Sequence, residues 1–159
     1  MITIGIDPGA SGAITVMEGN RVLESIKTDS GYHDLHGFLN RVIPDEMDVH
    51  AYIERVSASP GAGVSGMFRF GQSFGALQML LTCHHIPFDL VSPLKWQQAM
   101  GCARPKVGPG EKKESQTEHK NRTKQRAQQL FPDLTIIHAT ADSILLAEYG
   151  RRLRAGEIH

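Results

Sequence analysis

Residues 1–28 read MITIGIDPGASGAITVMEGNRVLESIKT. Three short stretches rich in β-branched residues follow one another, separated by glycine-bearing turns. "MITIGID" (1–7) reads as a strand, "SGAITVMEG" (11–19) as a second, and "RVLESIKT" (21–28), which alternates apolar and polar residues, as a third. Gly19-Asn20 between the second and third is a hairpin signal, so an antiparallel meander is expected. The first strand ends on a carboxylate, Asp7, and breaks at once into Pro8-Gly9-Ala10-Ser11-Gly12. An acid at the end of a strand that should be buried requires a reason.

Beyond the meander the pattern alternates between helix and strand. "HDLHGFLNRVI" (33–43) places Leu35, Phe38, Leu39, Val42 and Ile43 at helical spacing. "VHAYIERV" (49–56) reads as a fourth strand and again holds an acid, Glu54. "SASPGAGVSG" (57–66) is a loop by composition, and "MFRFGQSFGALQMLLTCHHI" (67–86) is long enough for a helix. Its Gly71 and Gly75 share one face and would let another backbone approach closely. "FDLVS" (88–92) is a fifth strand, and "PLKWQQAMG" (93–101) a helix opened by Pro93 and closed by Gly101. A basic, mobile loop is expected at about 103–118, a basic helix at 120–131, a short strand "LTII" at 134–137 and a last helix at 141–156. A meander followed by strands alternating with helices predicts an α/β fold, a mixed central sheet with helices on its faces. The length of 159 residues suits one domain over 1–159.

Cys83 and Cys102 are too few and too far apart for a disulfide framework or a zinc site. No apolar run reaches about 18 residues and no signal-peptide pattern is present, so a cytoplasmic protein without a membrane partner is expected. Net charge is zero, but residues 1–60 hold nine acids against four bases, a net of −5. Residues 104–126 hold eight bases against three acids, a net of +5. A basic segment on an acidic body suggests a polyanion partner; a solvated loop is the plain alternative.

Three acids stand where acids are costly: Asp7 closing the first strand, Glu54 on the fourth, and Asp142 at the start of the last helix. Strands one and four are plausible neighbours, and a helix starting near their ends would bring the third acid to the same place. Converging carboxylates repel, and a hard divalent cation relieves that; oxygen ligation favours Mg²⁺ or Mn²⁺. Asp142 alone could equally be a helix N-cap.

The motifs "IGIDPGASGAI", "AYIERV", "FRFGQSFGAL", "VSPLKWQ" and "ADSILLAEYGRR", in this order, resemble the RuvC-type Holliday junction resolvases of the RNase H-like superfamily, in their shorter phage and prophage form. The resemblance spans nearly the whole chain. It implies a five-stranded mixed sheet flanked by helices, with Asp7, Glu54 and Asp142 as catalytic acids holding two Mg²⁺ ions (or Mn²⁺ as substitute). It implies hydrolysis of branched DNA to 5′-phosphate nicks by a homodimer, with the dimer contact on the helix of Gly71 and Gly75. Substrates would be four-way junctions and, by extension, three-way and flap DNA.

The sequence departs from the family pattern at three places. The residue three before the last acid, usually an acid or histidine, is Ala139; its neighbour His138 is the candidate replacement. The stretch after the second acid lacks the expected aromatic, which makes Phe68 and Phe70 candidate junction contacts, with core packing as the competing reading. The basic loop points to phosphate contacts by Lys112, Lys113, Lys120, Arg122, Lys124 and Arg126, and hence to weak sequence preference. A protein that binds branched DNA without cutting it is the alternative that Ala139 raises. An actin-like kinase would need a second domain and phosphate loop, and a dinucleotide-binding fold would need the GxGxxG spacing, which is absent.

Overall fold

A computed structural model describes residues 1–44, 47–55, 63–110 and 112–159. The strands are β1 (Ile2–Ile6), β2 (Ala13–Glu18), β3 (Arg21–Lys27), β4 (Val49–Glu54) and β5 (Phe88–Val91). They form one sheet in the order β3-β2-β1-β4-β5. β1 to β3 are the antiparallel meander; β4 and β5 run parallel to β1. This is the five-stranded mixed sheet of the RNase H-like fold. β1 is central, and every one of its residues is buried.

Alternation along the strands sorts residues between two faces. Ile2, Ile4 and Ile6 of β1 and Ala51 and Ile53 of β4 face one core, closed by Leu35, Phe38 and Leu39 of α1 (Tyr32–Val42) and Leu77 and Leu81 of α2 (Val64–Cys83). The opposite face carries Tyr52 of β4 and meets α3 (Pro93–Ala99), α4 (Gln116–Leu130) and α5 (His138–Arg154) through Trp96, Ala127, Ile144, Leu145 and Tyr149. Helix α5 lies directly on β1. A Cβ on Gly5 would stand 2.1 Å from the Ser143 carbonyl oxygen and 2.3 Å from the Ala147 nitrogen, so only glycine permits this approach. No helix among the described residues is long and apolar enough to cross a membrane.

Several sequence expectations change. Residues 134–137 form no strand. The Gln128 side-chain amide donates to the carbonyls of Phe131, Pro132 and Leu134 at 3.2, 3.2 and 2.8 Å, which holds this stretch as a turn. Ile137 then serves as the N-cap position of α5. That helix begins three residues before the expected 141, so Asp142 lies inside it and is not its cap. Helix α4 begins at Gln116, within the expected loop, because Ser115 and Glu118 make a reciprocal capping box. Helix α2 begins at Val64, three residues before its expected start. Of the loop expected at 57–66, residues 57–62 lie outside the described residues.

Candidate active site

The parallel register of β1 on β4 pairs Ile6 with Ile53. The next residue on each strand is an acid. Asp7 keeps the parity of Thr3 and Gly5, and Glu54 that of Tyr52, so both belong to the face covered by α5. The sheet thus delivers two carboxylates side by side at the carboxyl ends of adjacent parallel strands, where α/β folds commonly place their sites.

The turn after β1 is fixed from several sides. The Gly9 N–H donates to Asp7 Oδ1 at 3.0 Å. Thr28, at the end of β3, donates its hydroxyl to the Gly9 carbonyl at 2.8 Å and its backbone N–H to the Gly12 carbonyl at 3.1 Å. Gly12 passes so close to Asp7 that a Cβ there would lie 2.2 Å from the Asp7 carbonyl oxygen and 2.8 Å from its Cγ. The glycine-rich turn therefore folds tightly around the carboxylate.

Asp142 is positioned through α5. Ser143 beside it shares a 2.7 Å hydrogen bond with Thr15 of β2, which shares another of 2.8 Å with Ser25 of β3. Ser143 also donates to the Thr140 carbonyl at 3.0 Å. This buried hydroxyl chain pins the second turn of α5 to the sheet. Glu54 is held from α3: the Trp96 indole N–H donates to Oε1 at 2.9 Å. Trp96 is buried in the core, and it also orients a site carboxylate.

The three acids feel one another. Burial and then the Asp7 charge push Glu54 up to about 7, with a smaller push from Asp142 against the relief given by Trp96. Burial and Asp7 likewise push Asp142 up to about 6, while Thr123 and Lys120 pull it down. Asp7 is raised by burial, against the Gly9 N–H and Lys120. Without a cation, burial and mutual repulsion oppose holding three negative charges together here. Asp142 Oδ1 is buried and has no hydrogen-bond partner among the described residues. An unsatisfied carboxylate oxygen amid two other carboxylates suits a hard divalent cation, so the donor set fits Mg²⁺ or Mn²⁺. Among the described residues no three histidine, cysteine or carboxylate side chains close into a ready-made cage. A cation here would take its remaining oxygens from water or phosphate.

A cleft of about 480 Å³ opens beside Glu54 and Asp142, and Arg104, Gln116, His119 and Lys120 stand on its walls. A second hollow of about 370 Å³ lies across the Asp7 turn, between Pro8, Ala10 and the Arg69 and Phe70 stretch of α2. A further hollow of about 450 Å³, near His84 and Pro87, is lined by none of the three acids.

The other sequence candidates are distributed as follows. His138, the first residue of α5, is exposed, with Nε2 3.0 Å from Asn121 Oδ1. It precedes Asp142 by one helical turn and so shares its face. Lys120 lies on the cleft; Lys124 is one turn further along α4. Arg122 and Arg126 are engaged within the chain: Arg122 with Glu114 and His119, and Arg126 Nε with the Met100 carbonyl at 2.7 Å. Lys112 and Lys113 are exposed around a separate shallow hollow with Glu118. Phe68 is 67% exposed, so core packing is not its role; Phe70 stacks on Phe74 with ring centres 6.4 Å apart. Cys102 is buried and its thiol is pushed up to about 12, which keeps it protonated and inert. Arg104 and His119, which line the cleft with Glu54 and Asp142, and Arg69, in the hollow beside the Asp7 turn, are not singled out by the sequence analysis; only membership of the basic segment 104–126 could have pointed to the first two, and nothing in the sequence to Arg69.

Neither a protein-family model nor a curated protein sequence matches this chain. Solved structures do match. A structure of Thermus thermophilus RuvC in complex with Holliday junction substrate aligns at 16% identity and a TM-score of 0.64, covering 98% of this chain and 97% of that one. The fold is that of RuvC. A second Thermus thermophilus RuvC structure aligns at 17% identity and a TM-score of 0.63, with the same coverage. Both alignments run nearly end to end, so the likeness is one of the whole fold.

Proposed function

We propose that this protein is a divalent-metal-dependent endonuclease that resolves Holliday junctions and related branched DNA. The observation that carries the reading is the meeting of three half-buried, mutually repelling carboxylates, one with an orphaned oxygen, in a RuvC fold. Asp7, Glu54 and Asp142 are the metal ligands. Bound Mg²⁺ would supply an activated water and stabilise the leaving 3′-oxygen, giving a 5′-phosphate nick. The chain's own groups do the rest. Trp96 keeps Glu54 turned toward the cleft, the Thr15–Ser143 pair fixes Asp142, and the Gly9–Gly12 turn holds Asp7 where a phosphate can approach. Lys120 faces Asp7 and Asp142 and draws the DNA backbone to them. Lys124, Lys112 and Lys113 extend that track, and the backbone-dominated contact set gives weak sequence preference. His138 sits at the margin of the site and takes the role left by Ala139.

The working form is a homodimer built on α2. Val64, Phe68 and Met79 are exposed along this helix, and a Cβ on Gly71 or Gly75 would meet nothing within 4 Å. The protomer gives these glycines no packing reason, whereas a second copy crossing here does. Phe68, exposed beside that crossing, would then stack at the centre of a junction.

The test is a panel of end-labelled four-way, three-way, flap and linear duplex DNAs incubated with Mg²⁺. Symmetric nicks in the four-way junction, with linear duplex left intact, support the reading. Tight junction binding with no product in Mg²⁺ or Mn²⁺ makes the protein a branched-DNA-binding module instead.

A further inference from the structure

His119 has no role in the proposed cleavage, yet it lines the same cleft as Glu54, Asp142 and Lys120. Its side chain is 12% exposed. The Arg122 Nη2 group lies 3.1 Å from His119 Nδ1. A guanidinium only donates and does not lose its proton in proteins, so Nδ1 must be the acceptor. Glu114 Oε2 is 3.6 Å from the same nitrogen, beyond hydrogen-bond reach, and pairs with Arg122 instead. Arg104 is tied to the same group, donating to the Glu114 carbonyl oxygen at 2.8 Å. The proton of a neutral His119 is thereby forced onto Nε2, which has no protein partner among the described residues.

We propose that His119 is a DNA-binding residue whose Nε2–H donates to a backbone phosphate oxygen in the cleft, as a neutral donor locked in one tautomer by Arg122. This rests on the nuclease reading and deepens it. The groups around the ring are Arg104, Lys120 and Arg122 on the positive side and Glu114, Glu54 and Asp142 on the negative. Burial and Arg104 hold the imidazole below its ordinary value, with Glu114 opposing. A neutral donor differs from its neighbour Lys120 in a measurable way. Lysine contacts release counterions from DNA and steepen the salt dependence of binding; a neutral N–H adds affinity and orientation without changing that slope.

The experiment measures four-way-junction affinity over a range of salt, with Ca²⁺ replacing Mg²⁺, for wild type, His119→Ala, His119→Gln and Lys120→Ala. His119→Ala weakens binding about ten-fold with an unchanged slope of log affinity on log salt. His119→Gln, whose amide reaches the Nε2 position, recovers most of the loss. Lys120→Ala flattens the slope by about one unit. Imidazole ¹⁵N NMR of the wild type shows the neutral Nε2–H tautomer at pH 7. Unaltered binding by His119→Ala, a slope change in that variant, or an Nδ1–H or imidazolium ring each overturns the role of His119 alone. Wild-type protein with no junction affinity overturns the nuclease reading along with it.

Discussion

Replacing Glu54 by glutamine should stabilise the metal-free protein at pH 8 and leave it nearly unchanged at pH 4. Glutamine keeps the shape and still offers an oxygen to the Trp96 indole, 2.9 Å from Oε1 in the native chain. It removes only the charge. Burial and the Asp7 charge lift Glu54 from 4.5 to about 7 in the folded state. Between those values the folded protein binds more protons than the unfolded one, so stability falls as pH rises through the window and levels off above about 7. The gap corresponds to about 3 kcal/mol. For a chain of this size that is a melting-temperature gain of about 6–12 °C for Glu54→Gln in EDTA at pH 8. Mg²⁺ should reverse the order: it stabilises the wild type, whose carboxylates it neutralises, and gives the variant much less. Thermal unfolding at the two pH values, with EDTA or Mg²⁺, measures all four conditions. A variant less stable than wild type at pH 8 in EDTA would refute the crowding of charge on which the site is built.

Three further changes probe the scaffold. Gly12→Ala forces a Cβ against the Asp7 backbone and should cost about 1–3 kcal/mol while abolishing cleavage; a wild-type melt and wild-type rate would show that the turn is not tight. Thr15→Val removes the hydroxyl that anchors Ser143 and should lower stability by about 1 kcal/mol, with a fall in turnover larger than any change in junction affinity, read by calorimetry and single-turnover kinetics. Gly75→Leu, which meets open space within its own chain, should yield a monomer in sedimentation with an intact protomer fold; a persistent dimer would move the interface off α2.

Much of the sheet is legible because its signals are local. Gly19-Asn20 announces the hairpin, and Asp7 and Glu54 stand out as acids within apolar, strand-like runs. The short strand at 134–137 fails because a four-residue run is ambiguous, and here the Gln128 side chain six residues back takes the Leu134 carbonyl together with those of Phe131 and Pro132 into a turn. The start of α4 was readable from Ser115 and Glu118, a capping signature masked by the surrounding charge. The acids stand out because burial makes them costly, whereas their supports do not. Thr15, Ser143, Thr28 and His119 are ordinary residues whose roles arise only when strands and helices far apart in sequence meet. Basic residues are the least legible: Arg122 and Arg126 share a helix and a charge with Lys120 and Lys124, yet the fold turns the arginines inward onto Glu114 and Met100.

The most direct test of the account is cleavage of a labelled four-way junction by wild type and Asp7→Asn, each in Mg²⁺ and in EDTA. The account predicts paired nicks bearing 5′-phosphates from the wild type in Mg²⁺ alone, and junction binding without product from Asp7→Asn. Equal cutting by Asp7→Asn, or cutting by the wild type in EDTA, would contradict it.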